Sequence, residues 1–269
     1  MRSQVVVPVV WAVLGGGVTA GSLLAAGVVT PGTRSTIVQQ AAPLLAGGPV
    51  GGTMAGDVYR DAAGGVVGVT AHALPVPPSA FDTAQRRPDG TVFGSGFVLD
   101  SDGLVITAAH LVRSADDVRV DLGPRTVPGR VVGVDESNDL AVLRVDPGTV
   151  QLHALELGDS YGMQVGDPVI AMGRPSGLRP TLVTGAVAAR QPRVASSGGA
   201  AISDALQVDA PLRESDCGGP LLDSSGRVAG MNTRMVTAEG ETVDVAVPSD
   251  TVRQLLPTLS GKAMKVVSG

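Results

Sequence analysis

The nine residues Arg213-Glu214-Ser215-Asp216-Cys217-Gly218-Gly219-Pro220-Leu221 (RESDCGGPL) hold the only cysteine of the chain, with two glycines directly after it. So much Gly and Pro suits neither a helix interior nor a strand interior, and the stretch reads as a tight turn presenting Cys217. A solitary cysteine is most often a small buried hydrophobe. Whether this one does chemistry depends on its company. His110 closes Val105-Ile106-Thr107-Ala108-Ala109-His110, just past a strand-like run, and Asp139 heads another in Ser137-Asn138-Asp139-Leu140-Ala141-Val142-Leu143. Nucleophilic acyl transfer requires a polarisable nucleophile, an imidazole to manage its proton, a carboxylate to hold that imidazole, and backbone N–H groups aimed at the developing oxyanion. All four are available here in the order His, Asp, nucleophile. Taken singly, each has a plainer reading: a polar residue beside a strand, a turn aspartate, a buried thiol. His72 and His153 have no comparable setting. One cysteine and no histidine pair at ligand spacing give a zinc site nothing to build on.

Outward from these segments the composition favours β structure. Aromatics are 2% of the chain, Gly and Pro number 37 and 19, and the 43% apolar content is mostly aliphatic. Short runs rich in β-type residues recur between turn signals: Phe97–Leu99, Leu104–Thr107, Arg130–Val134, Leu140–Val145, Pro168–Met172, Thr181–Thr184, Ala205–Val208, Val228–Met231 and Val243–Val247. That spacing, with almost no helical pattern between, predicts an all-β sandwich or barrel. Asp100-Ser101-Asp102-Gly103 reads as a hairpin turn. Ser249, after Pro248, is placed to cap one C-terminal helix through Leu256. Residues 73–92 and 191–204 read as long loops. The net charge of -5 comes from scattered acids, and the arginines form no stripe that would neutralise successive phosphates, so nucleic acid is excluded as a partner.

No charged residue occurs from Ser3 to Thr33, and Val5 to Val29 are mostly apolar. This is long enough to cross a hydrocarbon core of about 30 Å, and longer than the apolar region of a cleaved signal peptide. The expected organisation is a membrane anchor over residues 1–30, a Gly/Pro/Ala-rich linker over 31–56, a folded domain over 57–260 and a tail over 261–269. With few residues before the span, the bulk of the chain is expected outside the membrane. The strong bias to Arg over Lys suits a GC-rich bacterium.

Several segments together resemble one family. Gly94-Ser95-Gly96-Phe97-Val98-Leu99 with Thr107-Ala108-Ala109-His110, then Asp139–Leu143, Gln207-Val208-Asp209-Ala210, Asp216–Leu221, Gly230-Met231-Asn232-Thr233 and Ala246-Val247-Pro248-Ser249, taken in that order, resemble the trypsin-like protease domain of the HtrA/Deg proteins. The resemblance runs from about residue 57 to 258. It implies two antiparallel six-stranded β-barrels with the catalytic groups between them and a C-terminal helix. By the same match His110 is the general base, Asp139 its orienting carboxylate and Cys217 the nucleophile, where the family carries serine. The backbone N–H groups of Ser215 and Cys217 would form the oxyanion hole. Met231, Asn232 and Thr233 would pair with an extended substrate, and Pro211 and Leu212 would contribute to the primary specificity pocket. Protein or peptide substrates are implied, and no metal or organic cofactor.

Three features depart from the pattern. The PDZ domain that typically follows is not expected after the terminal helix, and a trimer is therefore not implied. Ser215 stands where the family usually has Gly, whose freer backbone suits an oxyanion turn. The nucleophile is a thiol, which an adjacent imidazole can convert to thiolate. The reading is thus a membrane-tethered extracytoplasmic endopeptidase with a His-Asp-Cys triad. A binding or chaperone module that has lost catalysis, and a thiol redox sensor, are the alternatives. With Pro211 and Leu212 at the pocket, a small or medium apolar residue is expected at the cleaved bond, not Lys or Arg.

Overall fold

In a computed structural model of the protein, residues 51–73, 80–81, 89–195 and 200–261 are described. The expected membrane anchor, most of the linker, most of the 73–92 loop and nearly all of the tail lie outside them. No helix among the described residues is long and apolar enough to cross a membrane.

The described residues begin with helix α1 (Gly51–Ala62), which takes up the last residues of the expected linker and buries Val58 and Ala62 against the core. Six strands follow: β1 (Val66–Ala73), β2 (Thr91–Val98), β3 (Leu104–Ala108), β4 (Ala115–Asp121), β5 (Thr126–Asp135) and β6 (Leu140–Val145), with the one-turn helix α2 (Ala109–Val112) after β3. They pair antiparallel in the order β1-β2-β3-β6-β5-β4, and β4 returns to β1 to close the sheet. A second six-stranded sheet is built from β7 (Pro168–Gly173), β8 (Thr181–Ala195), β9 (Ala201–Val208), β10 (Pro220–Leu222), β11 (Val228–Val236) and β12 (Thr242–Pro248). Its order is β10-β11-β12-β9-β8-β7, again closed. Helix α3 (Ser249–Ser260) ends at Gly261, whose φ of 64° is the left-handed C-cap that glycine supplies without steric cost.

The burial pattern explains the sequence pattern. β3 (LVITA) is buried at every position, and β6 (LAVLRV) at all but Arg144, so their apolar runs are continuous. β4 (ADDVRVD) alternates, with Val118 and Val120 inward, and its acids hid it from a search for apolar runs. β1 and β10 carry equally little signal: β1 is interrupted by Gly68, and the three residues of β10 start inside the Cys217 turn motif. Every expected strand falls within an observed one except for Leu99, one residue past β2.

Three expectations are corrected. The stretch 191–204 is mostly a hairpin extension: β8 runs to Ala195 and β9 starts at Ala201, with pairing down to Ala195↔Ala201. Of its strand residues only Ile202 and its partner Val194 pack against the core, too few to give an apolar alternation. Within the 73–92 loop, Phe81 is buried and Ala80 accepts the Val236 N–H at 2.8 Å, tying the loop to the second sheet. Ser249 does not cap α3. Its hydroxyl is buried and donates to the Gly158 carbonyl, while Asp250 accepts from Ser160 N–H, Ser160 Oγ and Tyr161 N–H and so fastens the helix start to that segment.

Candidate active site

Asp139 lies at the start of β6 with φ 53°, in the left-handed region that aspartate tolerates better than most residues. This twist lets one residue hold its neighbour three ways. Its carbonyl accepts the Ala109 N–H at 3.0 Å, its Oδ1 accepts the His110 backbone N–H at 2.9 Å, and its carboxylate accepts from His110 Nδ1 at 2.9 and 3.0 Å. Both side chains are almost wholly buried. With the proton on Nδ1, Nε2 is the basic nitrogen. From the second sheet, the Thr233 hydroxyl donates to Asp139 Oδ2 at 2.6 Å. That hydroxyl completes the carboxylate's shell, a role the sequence reading did not give Thr233; no local spacing signals a contact between residues this far apart in the chain.

The Cys217 turn is built differently. Glu214–Asp216 form one 3-10 turn, boxed by Arg213 N–H donating to Asp216 Oδ2 and Asp216 N–H donating to the Arg213 carbonyl, both at 2.9 Å. Cys217 N–H donates to the Glu214 carbonyl at 3.1 Å. The Ser95 hydroxyl donates to the Ser215 carbonyl at 2.5 Å and accepts from Arg174 N–H. Ser215 keeps a right-handed backbone, since only Asp139 and Asp204 among the described non-glycine residues have positive φ. In this conformation one of the two expected oxyanion donors, Cys217 N–H, is engaged within its own turn. Gly218, at φ 85°, has no room for a side chain: a Cβ would lie 2.2 Å from the Ser95 carbonyl oxygen. Gly218 is therefore required by packing and by angle, and Gly219 by packing alone, since a Cβ there would lie 2.2 Å from the Met172 carbonyl oxygen.

Cys217 is buried, and its thiol donates to the Arg213 carbonyl at 3.9 Å. Burial pushes its pKa far above the ordinary thiol value, the Asp139 charge adds to this, and the Arg234 guanidinium and N–H oppose it. Asp216 is also raised, first by burial, against the Arg213 N–H and charge, the Ser215 hydroxyl and the Arg234 charge. Its Oδ1 is buried and has no hydrogen-bond partner.

The remaining expected residues are spread around the second sheet. Pro211 is exposed, whereas Leu212 joins the apolar cluster with Val208, Leu221 and Ala246. Met231 is buried between Pro220 and Val247, and Asn232 bonds through its backbone to Gly218 and Gly219 and through its amide to the Met172 and Pro220 carbonyls. Both are enclosed by the sheet on two sides. Among the described residues β11 pairs with β12 alone from Thr233 to Met235, and at Val236 its other edge is taken by the Ala80 carbonyl, so the open edge of the strand is Thr233 to Met235. Among the described residues no group of His, Cys, Asp and Glu is arranged to hold a metal.

Comparison with known proteins adds the following. A family model described as "Trypsin-like peptidase domain" matches residues 94–231. Protease Do-like 1, chloroplastic, from Arabidopsis thaliana is 38% identical over 188 residues, covering 68% of this chain and 42% of that protein. Protease Do-like 5, chloroplastic, from the same plant is 35% identical over 222 residues, covering 76% of this chain and 68% of that protein. The crystal structure of Deg5 superposes with a TM-score of 0.64 at 30% identity, covering 78% of this chain and 97% of that one. The chain spans less than half the length of the first of these relatives.

Proposed function

The chain belongs to the trypsin-like peptidase family, in its HtrA/Deg branch, and from that premise we propose that it is a membrane-tethered, extracytoplasmic endopeptidase cutting extended protein segments with His110, Asp139 and Cys217. The observation that carries this reading is the His110–Asp139–Thr233 assembly. Two buried side chains, Asp139 directly and Thr233 through it, hold a buried imidazole with its Nδ1 proton on a carboxylate, the arrangement a general base requires. In the reaction Cys217 Sγ attacks the peptide carbonyl carbon and its proton passes to His110 Nε2. The tetrahedral adduct then collapses, the amine leaves with that proton, and water activated by His110 hydrolyses the thioester. Ser215 and Cys217 N–H groups stabilise the oxyanion once the Glu214–Ser215 peptide has turned over.

The closed turn and the protonated thiol describe the resting enzyme. An extended substrate pairing along β11 from Thr233 to Met235 would abut the Cys217 turn, since Asn232, just before this edge, accepts the Gly218 N–H. The alkylation rate of Cys217 against pH tests this. The expected result is slow labelling of the resting chain near neutral pH, acceleration when an unfolded protein or peptide is added, and loss of that acceleration in His110→Ala. A second reading, a binding module without catalysis, is favoured by the engaged Cys217 N–H. It requires that added peptide leave the thiol as unreactive as before, and that Cys217→Ala leave peptide binding intact with no turnover to lose.

A further inference from the structure

Arg234 and Asp244 are register partners on β11 and β12. Arg234 Nε donates to Asp244 Oδ1 at 2.7 Å, and Asp244 Oδ2 accepts the Leu212 N–H at 3.4 Å. Alternate residues of a strand share a face, so the pair shares its face with Asn232 and Ala246, which point into the second barrel beside Leu212 and Leu221. Asn232, two residues before Arg234, accepts the Gly218 N–H, and Thr233 donates to Asp139, while Leu212, which donates to Asp244, directly precedes Arg213, whose carbonyl accepts the Cys217 thiol. The pair therefore lies beside the Cys217 turn. It is also open: the two side chains are 25% and 23% exposed.

Building on the peptidase reading, we infer that Arg234 selects the residue at the cleaved bond by taking a substrate carboxylate, an Asp or Glu side chain, onto the guanidinium edge that Asp244 leaves uncovered. A guanidinium carries five N–H donors in a planar fork suited to carboxylates. Among the described residues the Arg234 side chain donates only to Asp244, through Nε, so the four donors of its outer edge are unspent. Asp244 has both oxygens engaged. A substrate Lys or Arg would have to displace one of those bonds while facing Arg234, and an apolar side chain would strip water from the outer edge and return no hydrogen bond. Asp244 orients the guanidinium and offsets its charge in the absence of a substrate carboxylate. This replaces the apolar preference expected from Pro211 and Leu212, because Pro211 faces solvent and Leu212 is spent in the core.

The test is peptide binding to the full chain carrying Cys217→Ala, by fluorescence anisotropy, with peptides differing only in Glu, Gln, Val or Lys at the cleaved position. The expected result is roughly tenfold tighter binding of the Glu peptide than of the Gln, Val or Lys peptides. Arg234→Gln should bring the Glu-to-Gln ratio toward one. Asp244→Asn, which removes the competing carboxylate and keeps the guanidinium, should widen it. Val or Lys peptides binding as tightly as Glu, or ratios unmoved by both substitutions, would overturn the assignment. Turnover separates the two proposals. Cleavage after Val and not after Glu by the unsubstituted chain removes the Arg234 role and keeps the peptidase. Preferential binding of Glu without cleavage of any peptide keeps the Arg234 role and removes the peptidase.

Discussion

On the first barrel, His110 and Asp139 have already made the hydrogen bonds that the proposed catalysis asks of them, and the second barrel contributes Thr233 to hold them. On the second barrel, the turn carrying Cys217 has spent its own donors inward, with Cys217 N–H on Glu214 and the thiol on Arg213. The difference follows from what each half is made of. Asp139 is fixed by a strand start and a left-handed backbone, which leave it one conformation. The Cys217 turn is a short loop whose N–H groups point to its own carbonyls. On the proposed reading the base half is preorganised, and the nucleophile half opens when a substrate oxyanion replaces those carbonyls.

The comparison breaks most severely if the ordered half proves dispensable. Asp139→Asn keeps the shape but offers His110 an amide, which favours the wrong imidazole tautomer. The expected loss in kcat/KM is about ten-thousand-fold with little change in fold. A loss of less than about tenfold would mean that the His110–Asp139 contact is structural and that the two halves do not act together.

The next effect concerns the turn itself. Ser215→Gly gives the Glu214–Ser215 peptide the backbone freedom that Ser lacks, so the open and closed turns come closer in free energy. We expect Cys217 alkylation near neutral pH to rise by about tenfold, and peptide turnover to rise with it. Unchanged reactivity would place the barrier elsewhere, in the Ser95 hydroxyl that holds the Ser215 carbonyl.

These two halves were not equally legible from the amino-acid order. His110, Asp139 and Cys217 each sit in short motifs whose neighbours belong to the adjoining strand or turn, so their places could be read directly. The state of the turn could not, because Glu214, Ser215 and Asp216 have the same identities whether Cys217 N–H points to Glu214 or to a substrate. The Thr233–Asp139 contact joins two barrels and leaves no periodic trace. The Arg234–Asp244 pair is within reach of the sequence: residues 238–240 form the turn of a hairpin closed by Thr237 and Glu241, and counting back from it sets these two opposite each other. Strand β4 was missed because Val118 and Val120 alone carry its inward face among acids.

The smallest effect measures what the closed turn costs. Asp216 closes the box around the 3-10 turn with one oxygen and leaves the other buried without a partner. Because burial raises its folded-state pKa above the unfolded value, the native state binds that proton more tightly than the unfolded chain does. The corresponding stability is present in full below the unfolded carboxylate pKa and is lost as pH rises through the folded one. Asp216→Asn retains an oxygen for the Arg213 N–H and removes the charge, so it should be more stable than the unsubstituted chain near neutral pH by on the order of 1 kcal/mol. The gap should close as the pH falls below about 4, where the unfolded aspartate is protonated as well. Thermal melts at several pH values decide it. A gap that persists in acid would mean that the asparagine amide has found a partner and that the turn has been rebuilt. A destabilised variant at neutral pH would mean that the Asp216 charge is held by a cationic partner, which would make the closed turn a stable ion-paired structure and not a resting one.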